Sequence, residues 1–479
     1  MNLYTHYLKF GISASLGLLA AGVLLFGPRP EANRPKNRVV VTYWEKWTNK
    51  EAAQMKQIVN DFNNSVGARK GIYVEYLSMS NINQKTLVST AGGVPPDIAG
   101  VWDTQVPQFA AIDALEPLED MAKAHGITSD YYKSVYWRGC SYNGHLWGLV
   151  STPGVVALHY NKRIFKENAA LLRAAGLDPN RPPRTLDELD RYAKVLDKFD
   201  ADKHLVRTGY LPMEPGWYLA LTTYWFGGDL FDQKTQKFTL LSPPVIKAYE
   251  WVRSYSLKLG KASMSEFRSG LGGMDSPQNP FMVGQLAMEQ QGPWLANYIE
   301  NNRPSLNRWI TDDKKAEMSW PIEKRRTNYE WGAAPFPSAV EGVQNVAHCP
   351  FDVMIIPRGA RHVKEAFEFI AYVNEQGPME KLCMMHCKNS PLRKVSDNFR
   401  LHHPNPYIDV FEKLASSPHA QTVPRLALWP EVADELNNVA QRVYLLEAKP
   451  EDALREAQTR LQQKYDSFRA LQQGRAKSE

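Results

Sequence analysis

The sequence predicts an α/β fold built on a mainly parallel sheet. Residues 39–44 form a run of β-branched and aromatic side chains that is typical of a buried strand. Apolar residues recur at helical intervals over 55–62, and strand-like runs return at 72–77 and 95–102. Because strands and helices alternate in this way, we expect layers of helices around the sheet.

Turn and capping patterns place further elements along the chain. Thr48 and Glu51 have the spacing of a capping box, which predicts a helix start. Asn143-Gly144 is typical of a tight hairpin turn. We also predict a strand at 155–160, a helix start at 185–188, and helices at 363–373 and 450–461.

Composition limits the classes of function. The chain has 479 residues, of which 43% are hydrophobic and 23% charged, so it is long enough for two hydrophobic cores. The net charge of +6 comes from 57 basic and 51 acidic residues spread along the chain, which argues against nucleic-acid binding. The four cysteines are too scattered for a disulfide framework. Cys383 and Cys387 flank His386 in an apolar segment, which favours a buried helix face, and we expect neither a metal nor a cofactor.

The N-terminal segment, residues 1–37, is predicted to be a signal peptide or signal anchor followed by a linker. Lys9 precedes an uncharged, mostly apolar run at 10–26, which would be roughly 25 Å long as a helix. No cysteine follows for lipid attachment, and 27–30 lacks a small-x-small cleavage pattern. Four basic residues between positions 29 and 38 oppose export under the positive-inside rule. We nevertheless expect a periplasmic or extracytoplasmic protein, tethered to the cytoplasmic membrane by 10–26.

Two loops that follow predicted strands carry the first candidate binding residues. Ligands of open α/β sheets bind beyond the carboxyl ends of the strands. Trp44, Glu45 and Trp47 occupy that position after the first strand, and Trp102 and Asp103 after the third. An aromatic face beside a carboxylate suits a hydroxyl-rich ring, which stacks on one and hydrogen-bonds to the other. The alternative is that Trp44 and Trp102 only close the end of the sheet.

Five separated motifs occur in a characteristic order. They are the segments 95–98, 115–118, 158–162 and 453–458, and the pattern F-x2-G-x2-A-M-x3-G-x-W at 281–294. In this order the chain resembles the extracellular solute-binding proteins of ABC importers, the family typified by maltose-binding protein. The resemblance covers about 39–465. Two positions depart from the family pattern: Asp113 replaces a usual glycine, and 349–351 lacks the usual small residues.

The resemblance implies a two-lobed periplasmic-binding-protein fold of type II, with a ligand cleft between the lobes. The first lobe would comprise 38–152 and 352–393, and the second 153–351 and 394–479. The chain would cross between them near 153–158, 347–352 and 394–399. It further implies a monomer that binds a carbohydrate, performs no catalysis, and delivers its cargo to ABC permease membrane subunits.

The resemblance also completes the set of candidate ligand residues. Tryptophan faces would stack on sugar rings, carboxylates would accept hydroxyl hydrogen bonds, and an arginine would donate. The added candidates are Glu214, Trp217, Trp294, Trp331, Asp352, Arg393 and Trp429. For Trp217, Trp331 and Trp429, a place in the core of a lobe is an equal alternative.

Two other readings stay open. An exported glycan hydrolase would also need aromatic and acidic residues in a cleft, but it requires a pair of carboxylates at a set separation, and no such pair stands out. The same fold could instead bind a glycerophosphodiester, a polyamine or a metal. The mixture of tryptophans, acids and a single arginine favours a neutral sugar.

Overall fold

The computed structural model describes residues 34–307 and 313–475. The predicted signal or anchor segment at 10–26 lies outside these residues. Among the helices that are described, none has both the length and the hydropathy of a membrane span.

The strands are short and fall into two main sheets and three small ribbons. In chain order they are β1 Val39–Glu45, β2 Ile72–Ser78, β3 Ile98–Trp102, β4 Ser141–Tyr142, β5 His145–Leu146, β6 Gly148–Pro153, β7 Ala157–Asn161, β8 Lys198–Phe199, β9 Leu205–Tyr210, β10 Phe231–Asp232, β11 Lys237–Phe238, β12 Leu286–Gln291, β13 Trp331–Ala334, β14 Ala347–His348, β15 Phe351–Ile355 and β16 Ala420–Gln421.

Helices surround both main sheets. In chain order they are α1 Asn49–Asn64, α2 Val66–Lys70, α3 Ile82–Ala91, α4 Val106–Ala111, α5 Glu119–Ala124, α6 Ser134–Cys140, α7 Lys162–Glu167, α8 Ala169–Ala174, α9 Leu186–Leu196, α10 Pro243–Leu259, α11 Lys261–Ser269, α12 Pro280–Val283, α13 Leu295–Asn302, α14 Lys314–Met318, α15 Ile322–Arg326, α16 Val363–Val373, α17 Gln376–Met385, α18 Asp397–His402, α19 Ile408–Ala415, α20 Trp429–Tyr444 and α21 Pro450–Arg475. Short 3-10 helices occupy Asp103–Gln105, Leu219–Phe226 and Pro304–Asn307.

Each main sheet has five strands; the first is mainly parallel with one reversed strand, and the second is mixed. The first has the order β2-β1-β3-β15-β6, and the second β13-β7-β12-β9-β8. In the first sheet β1 pairs in parallel with β2 and β3, whereas β15 runs antiparallel to β3 and β6. Because β3 and β6 are both antiparallel to β15, the strands β2, β1, β3 and β6 share one direction, as the sequence predicts, and only β15 is reversed. The reason is that β15 enters the first sheet after a long excursion through the second, and it enters from the opposite end.

Two short segments lead into and out of the first sheet. Residues 154–156 join β6 of the first sheet to β7 of the second, and 349–350 join β14, a strand of a small ribbon, to β15 of the first sheet. Each main sheet packs against its own core. Beside the first sheet, Phe369 of α16 lies against Tyr43 and Phe62, at 5.6 and 5.2 Å between ring centroids. Beside the second sheet, α10 packs against α20 and α21.

Local predictions had mixed outcomes. Thr185 caps α9, because its hydroxyl accepts a hydrogen bond from the Glu188 backbone N–H at 3.1 Å. The capping box predicted at Thr48 does not form: the Thr48 side chain makes no capping hydrogen bond at the start of α1. Asp113 keeps the backbone of the glycine it replaces, with φ of 58° in the left-handed region. Arg358 holds the Asp113 carboxylate at 2.7 Å.

Candidate functional site: a cleft between the two sheets

A cavity of about 730 Å³ lies where loops from both sheets meet. Such a volume falls in the usual range for small-molecule sites. Its lining comes from the ends of β1 and β3, the start of α3, the segments that connect the sheets, and the loops that follow β9 and β12. The lining residues are Lys46, Trp47, Thr48, Glu51, Ser80, Asn81, Ile82, Asn83, Gln84, Trp102, Thr152, Pro153, Trp217, Tyr218, Met274, Trp294, Tyr298, Pro350, Phe351, Asp352 and Lys388.

Three charged side chains, Lys46, Asp352 and Lys388, form a compact cluster at the cavity, called here the charged cluster. The Asp352 carboxylate lies 2.9 Å from the Lys46 Nζ and 3.4 Å from the Lys388 Nζ. The Thr152 hydroxyl donates to Asp352 at 2.8 Å, and Lys388 donates to the Thr152 hydroxyl oxygen at 2.8 Å. Burial alone would raise the pKa of Asp352, but the two ammonium groups outweigh it and hold the pKa well below its usual range. Asp352 is therefore an ionised hydrogen-bond acceptor at neutral pH.

Glu45 contacts Lys46 of the charged cluster from the buried side and does not line the cavity. Its side chain is fully buried and accepts hydrogen bonds from the Tyr43 hydroxyl at 2.7 Å and the Lys46 backbone N–H at 2.7 Å. The Lys46 Nζ lies 3.2 Å from the same carboxylate. Glu45 thus positions Lys46, and the prediction that Glu45 contacts the ligand is not supported. Strand alternation explains this placement, because Glu45 points the same way as the core residues Val41 and Tyr43.

Trp47 and Trp294 line the cavity beside the charged cluster. The Trp47 ring packs edge-on against His386, at 5.0 Å between centroids, and is 6% exposed. The Lys388 Nζ lies 5.7 Å from the Trp47 ring and 5.6 Å from the Trp294 ring, within cation–π distance of both. The Trp294 indole N–H is buried and has no hydrogen-bond partner among the described residues.

Two glycines make room for the Trp294 ring. A Cβ atom at Gly292 would stand 2.2 Å from the indole, and one at Gly154 would stand 2.7 Å from it. Neither distance is possible between non-bonded carbon atoms. The last glycine of the motif F-x2-G-x2-A-M-x3-G-x-W, Gly292, therefore leaves the space that the Trp294 ring occupies.

Trp102 and Trp217 offer the most accessible aromatic faces in the cleft. They are 49% and 50% exposed, although tryptophan is usually well buried. Trp102 ends β3 of the first sheet, whereas Trp217 follows β9 of the second. The two indoles thus come from opposite sides of the cleft.

A rim of uncharged polar side chains completes the cavity. Ser80, Asn81, Asn83 and Gln84 line it at the start of α3. Asn81, at the N-cap position, adopts a left-handed backbone with φ of 54°. Amide and hydroxyl groups both donate and accept, which suits sugar hydroxyls. Sequence reasoning missed this rim because it sought aromatic and acidic side chains, although Ser80 follows the end of β2 by two residues, as Trp47 follows the end of β1.

The structure brings Trp47, Trp102, Trp217, Trp294 and Asp352 of the predicted set to the cavity. Lys46 and Lys388 were missed. Lys46 could have been found, because it directly follows the end of β1. Lys388 follows α17 and carried no signal that links it to the cleft.

Trp44, Asp103 and Glu214 do not line the cavity. Trp44 is half-buried within β1. Asp103 is buried, and Arg425 Nη1 donates to its backbone carbonyl at 2.9 Å. Burial raises the pKa of Asp103 to about 7, although Arg425 opposes the rise. Glu214 lies 3.6 Å from Arg268, and burial raises its pKa.

Trp331, Trp429 and Arg393 are also placed away from the cavity, the two tryptophans in the core and Arg393 on the surface. Trp331 is 1% exposed, and its indole N–H donates to Asn307 at 3.0 Å inside the core. Trp429 is 5% exposed and begins α20 in the second core. Arg393 is exposed on the outer surface, where it donates to the Tyr132 carbonyl at 2.7 Å.

Metal-binding potential is confined to the surface in the described part of the chain. Asp200, Asp202 and His204 are the one group there with ligand atoms close enough for a cation, and all three are exposed. Cys383 and Cys387 are buried free thiols. Their neighbour His386 is also buried, and burial pushes its pKa well below the usual range. Neutral His386 supports the Trp47 ring.

Comparison with known proteins defines the class. A sequence profile described as bacterial extracellular solute-binding protein matches residues 57–396. Because this match spans more than half of the chain, the protein belongs to the bacterial extracellular solute-binding protein family.

Individual relatives agree with this family. The maltotriose-binding protein of Pyrococcus abyssi is 23% identical over 218 residues, which are 45% of this chain and 41% of that protein. The chain thus spans less than half the length of this relative. The sn-glycerol-3-phosphate-binding periplasmic protein UgpB of Escherichia coli K12 is 26% identical over 210 residues, or 42% of each chain.

Solved structures share the fold over nearly their full length. The mannobiose-bound protein CpMnBP1 has a TM-score of 0.71 at 24% identity, and the match covers 88% of this chain and 99% of that one. The sugar-binding protein MalE of Xanthomonas citri has a TM-score of 0.69 at 18% identity, with 90% and 99% covered. At these identities the likeness defines the fold.

Proposed function

We propose that this protein is the substrate-binding component of an ABC-type importer and that it binds a sugar or oligosaccharide in the cleft. One observation carries the proposal: a cavity of about 730 Å³ combines the accessible faces of Trp102 and Trp217 with an ionised Asp352 held by lysines. Aromatic faces bind the apolar side of a sugar ring, and oriented charged groups bind its hydroxyls. The ligands named for several relatives are sugars, which supports the same class here.

We further propose that the lobes comprise 38–152 with 352–393, and 153–351 with 394–479. Trp102 would belong to the first lobe and Trp217 to the second. A solute that contacts both indoles would stabilise a closed arrangement of the lobes, which is a shift of population toward that state. Delivery to permease membrane subunits as a monomer follows from the family and belongs to the same proposal.

Binding without catalysis is the second part of the proposal. A glycoside hydrolase requires one carboxyl group with a raised pKa and a second that is ionised, at a set separation. Glu51 and Asp352 are the carboxylates among the cavity-lining residues. Burial raises the pKa of Glu51, and Asp352 is ionised, so the pair has the two required protonation states. Asp352, however, is engaged by Thr152 and two lysines and is not free to attack a sugar.

The cellular location is the third part. Members of the family are extracellular, and we propose that residues 10–26 direct export and then tether the protein to the cytoplasmic membrane. The linker that ends at Asn37 would leave the cleft free beside the permease.

Calorimetric titration with a solute panel tests the proposal. The panel contains mannobiose, mannotriose, maltotriose, sn-glycerol-3-phosphate and a polyamine. We expect at least one neutral oligosaccharide to bind, to raise the melting temperature, and to be recovered intact. A ligand at 100 times its dissociation constant adds about 2.7 kcal/mol to the free energy of unfolding. Binding of the polyamine or the phosphate ester alone would contradict the sugar assignment, and shortened sugar products would identify an enzyme.

A further inference from the structure

Two features of the cleft are typical of an anion site. Lys46 and Lys388 place two ammonium groups at the cavity. Helices α1 and α3 also begin at it, and neither Thr48 nor Asn81 caps its helix with a side-chain hydrogen bond. Lysines and open helix N-termini together usually attract phosphate or carboxylate groups.

Carboxylates of the protein itself already compensate these charges. Asp352 bridges the two lysines through its two oxygens, at 2.9 Å from Lys46 and 3.4 Å from Lys388. Glu45 lies 3.2 Å from Lys46 on the buried side. Glu51 stands in the first turn of α1 and lines the cavity, where it opposes the positive end of that helix.

The remaining hydrogen-bonding capacity suits an uncharged hydroxyl. An ammonium group has three N–H donors. Lys46 directs donors to Asp352 and Glu45, and Lys388 directs donors to Thr152 and Asp352, so each lysine retains one donor for a solute. A single donor from each lysine satisfies a hydroxyl oxygen. It does not satisfy a phosphate, which would also meet the negative charge of Asp352 at close range.

We propose that Asp352 is a specificity-determining residue that restricts the cleft to neutral polyhydroxylated solutes by occupying both lysines. This inference rests on the proposed function for the nature of the solute. It sets the cleft apart from that of a protein that takes a phosphate ester, although sequence similarity extends to such a relative.

Substitution Asp352→Asn tests the inference, because it removes the charge and nearly preserves the shape. Inorganic phosphate and sn-glycerol-3-phosphate are titrated into the wild-type protein and the variant. We expect no measurable binding of either anion by the wild type. In the variant we expect the affinity for both anions to rise at least about tenfold, which corresponds to about 1.4 kcal/mol, because one close negative charge is removed. The gain should disappear at high salt.

The matched control is Asp130→Asn. Asp130 is exposed and pairs with Arg393 at 3.8 Å on the outer surface, so this variant makes the same chemical change away from the cleft. It should gain no affinity for either anion. Equal gains in both variants would overturn the inference, because they would report net charge alone.

A second cleft variant covers the case in which Asp352→Asn does not fold. Glu51→Gln removes a largely buried carboxylate, 19% exposed, from the cavity wall, and it should also raise anion affinity. Anion binding by the wild type, or unchanged anion affinity in every folded cleft variant, overturns the inference. These results are separate from the proposed function, which fails only if the wild type binds no sugar.

Discussion

The Glu45 carboxylate occupies the space in which a side chain at Gly100 would stand. The two residues are register partners on β1 and β3, and a Cβ atom at position 100 would lie 1.8 Å from Glu45 Oε2. Glu45 in turn forms an ion pair with Lys46, which lines the cavity. The absence of a side chain at Gly100 therefore connects the core of the first sheet to the binding cleft.

Gly100→Ala should destabilise the protein and weaken sugar binding together. Overpacking of this kind costs about 1–3 kcal/mol, and the displaced Glu45 no longer fixes Lys46. Chemical denaturation and calorimetric titration measure the two effects. Gly377→Ala is the control, because Gly377 is exposed in α17 and a Cβ atom there meets no atom within 4 Å. Unchanged binding in Gly100→Ala would show that Glu45 does not position Lys46.

Trp102→Ala and Trp217→Ala should each weaken sugar binding by on the order of 1 kcal/mol or more, with little effect on the stability of the free protein. Both indoles are about half exposed in the cleft, so their removal opens no cavity in the core. Titration and thermal melting separate the two quantities.

Trp331→Ala provides the contrast for these cleft variants. Because the Trp331 indole is buried, its removal should lower the free energy of unfolding by about 3–5 kcal/mol. The assignment of Trp102 and Trp217 to the binding surface is wrong if their removal destabilises the free protein as much as Trp331→Ala does.

Asp103 should make stability depend on pH between about 4 and 7. Burial raises its pKa to about 7 in the folded protein, from about 3.9 for an unperturbed aspartate, while Arg425 opposes the rise and Asp352 adds to it. Within this window the folded chain retains a proton that the unfolded chain releases. The contribution of Asp103 to stability is therefore complete below pH 4 and is lost as the pH rises to 7.

Asp103→Asn removes this dependence and should stabilise the protein above pH 7. Relative to the wild type, the gain should grow by about 1.4 kcal/mol per pH unit at most through the window and then stay constant. Urea denaturation at intervals from pH 4 to pH 8 measures it. Parallel pH profiles for the wild type and Asp103→Asn would contradict the prediction, and the exposed Asp130→Asn serves as control.

A phosphatase joined after Asn37 should be active outside the cytoplasm if residues 10–26 direct export. Fractionation should find the full-length protein with the membrane, because the segment after the apolar run lacks a cleavage pattern. An inactive fusion would rule out export. A shortened protein in the soluble fraction would rule out only the tether.

The sequence by itself determined the alternating α/β pattern, most element positions and the motif that seats Trp294. These properties are local: the 2-residue and 3.6-residue periods of apolar side chains, turn residues and a glycine spacing are legible along the chain. They also brought attention to the ends of β1 and β3, where Trp47 and Trp102 do line the cavity.

Only the tertiary structure decided which charged groups meet in the cleft. Lys46 and Lys388 are far apart in sequence and both contact Asp352, a relation that no local pattern contains. Burial likewise distinguishes the tryptophans, since Trp217 and Trp331 are both candidates in the sequence but only Trp217 lines the cleft. The physical reason is that a side chain's environment depends on what the rest of the fold places against it, and at a cleft between two sheets those neighbours come from every part of the chain.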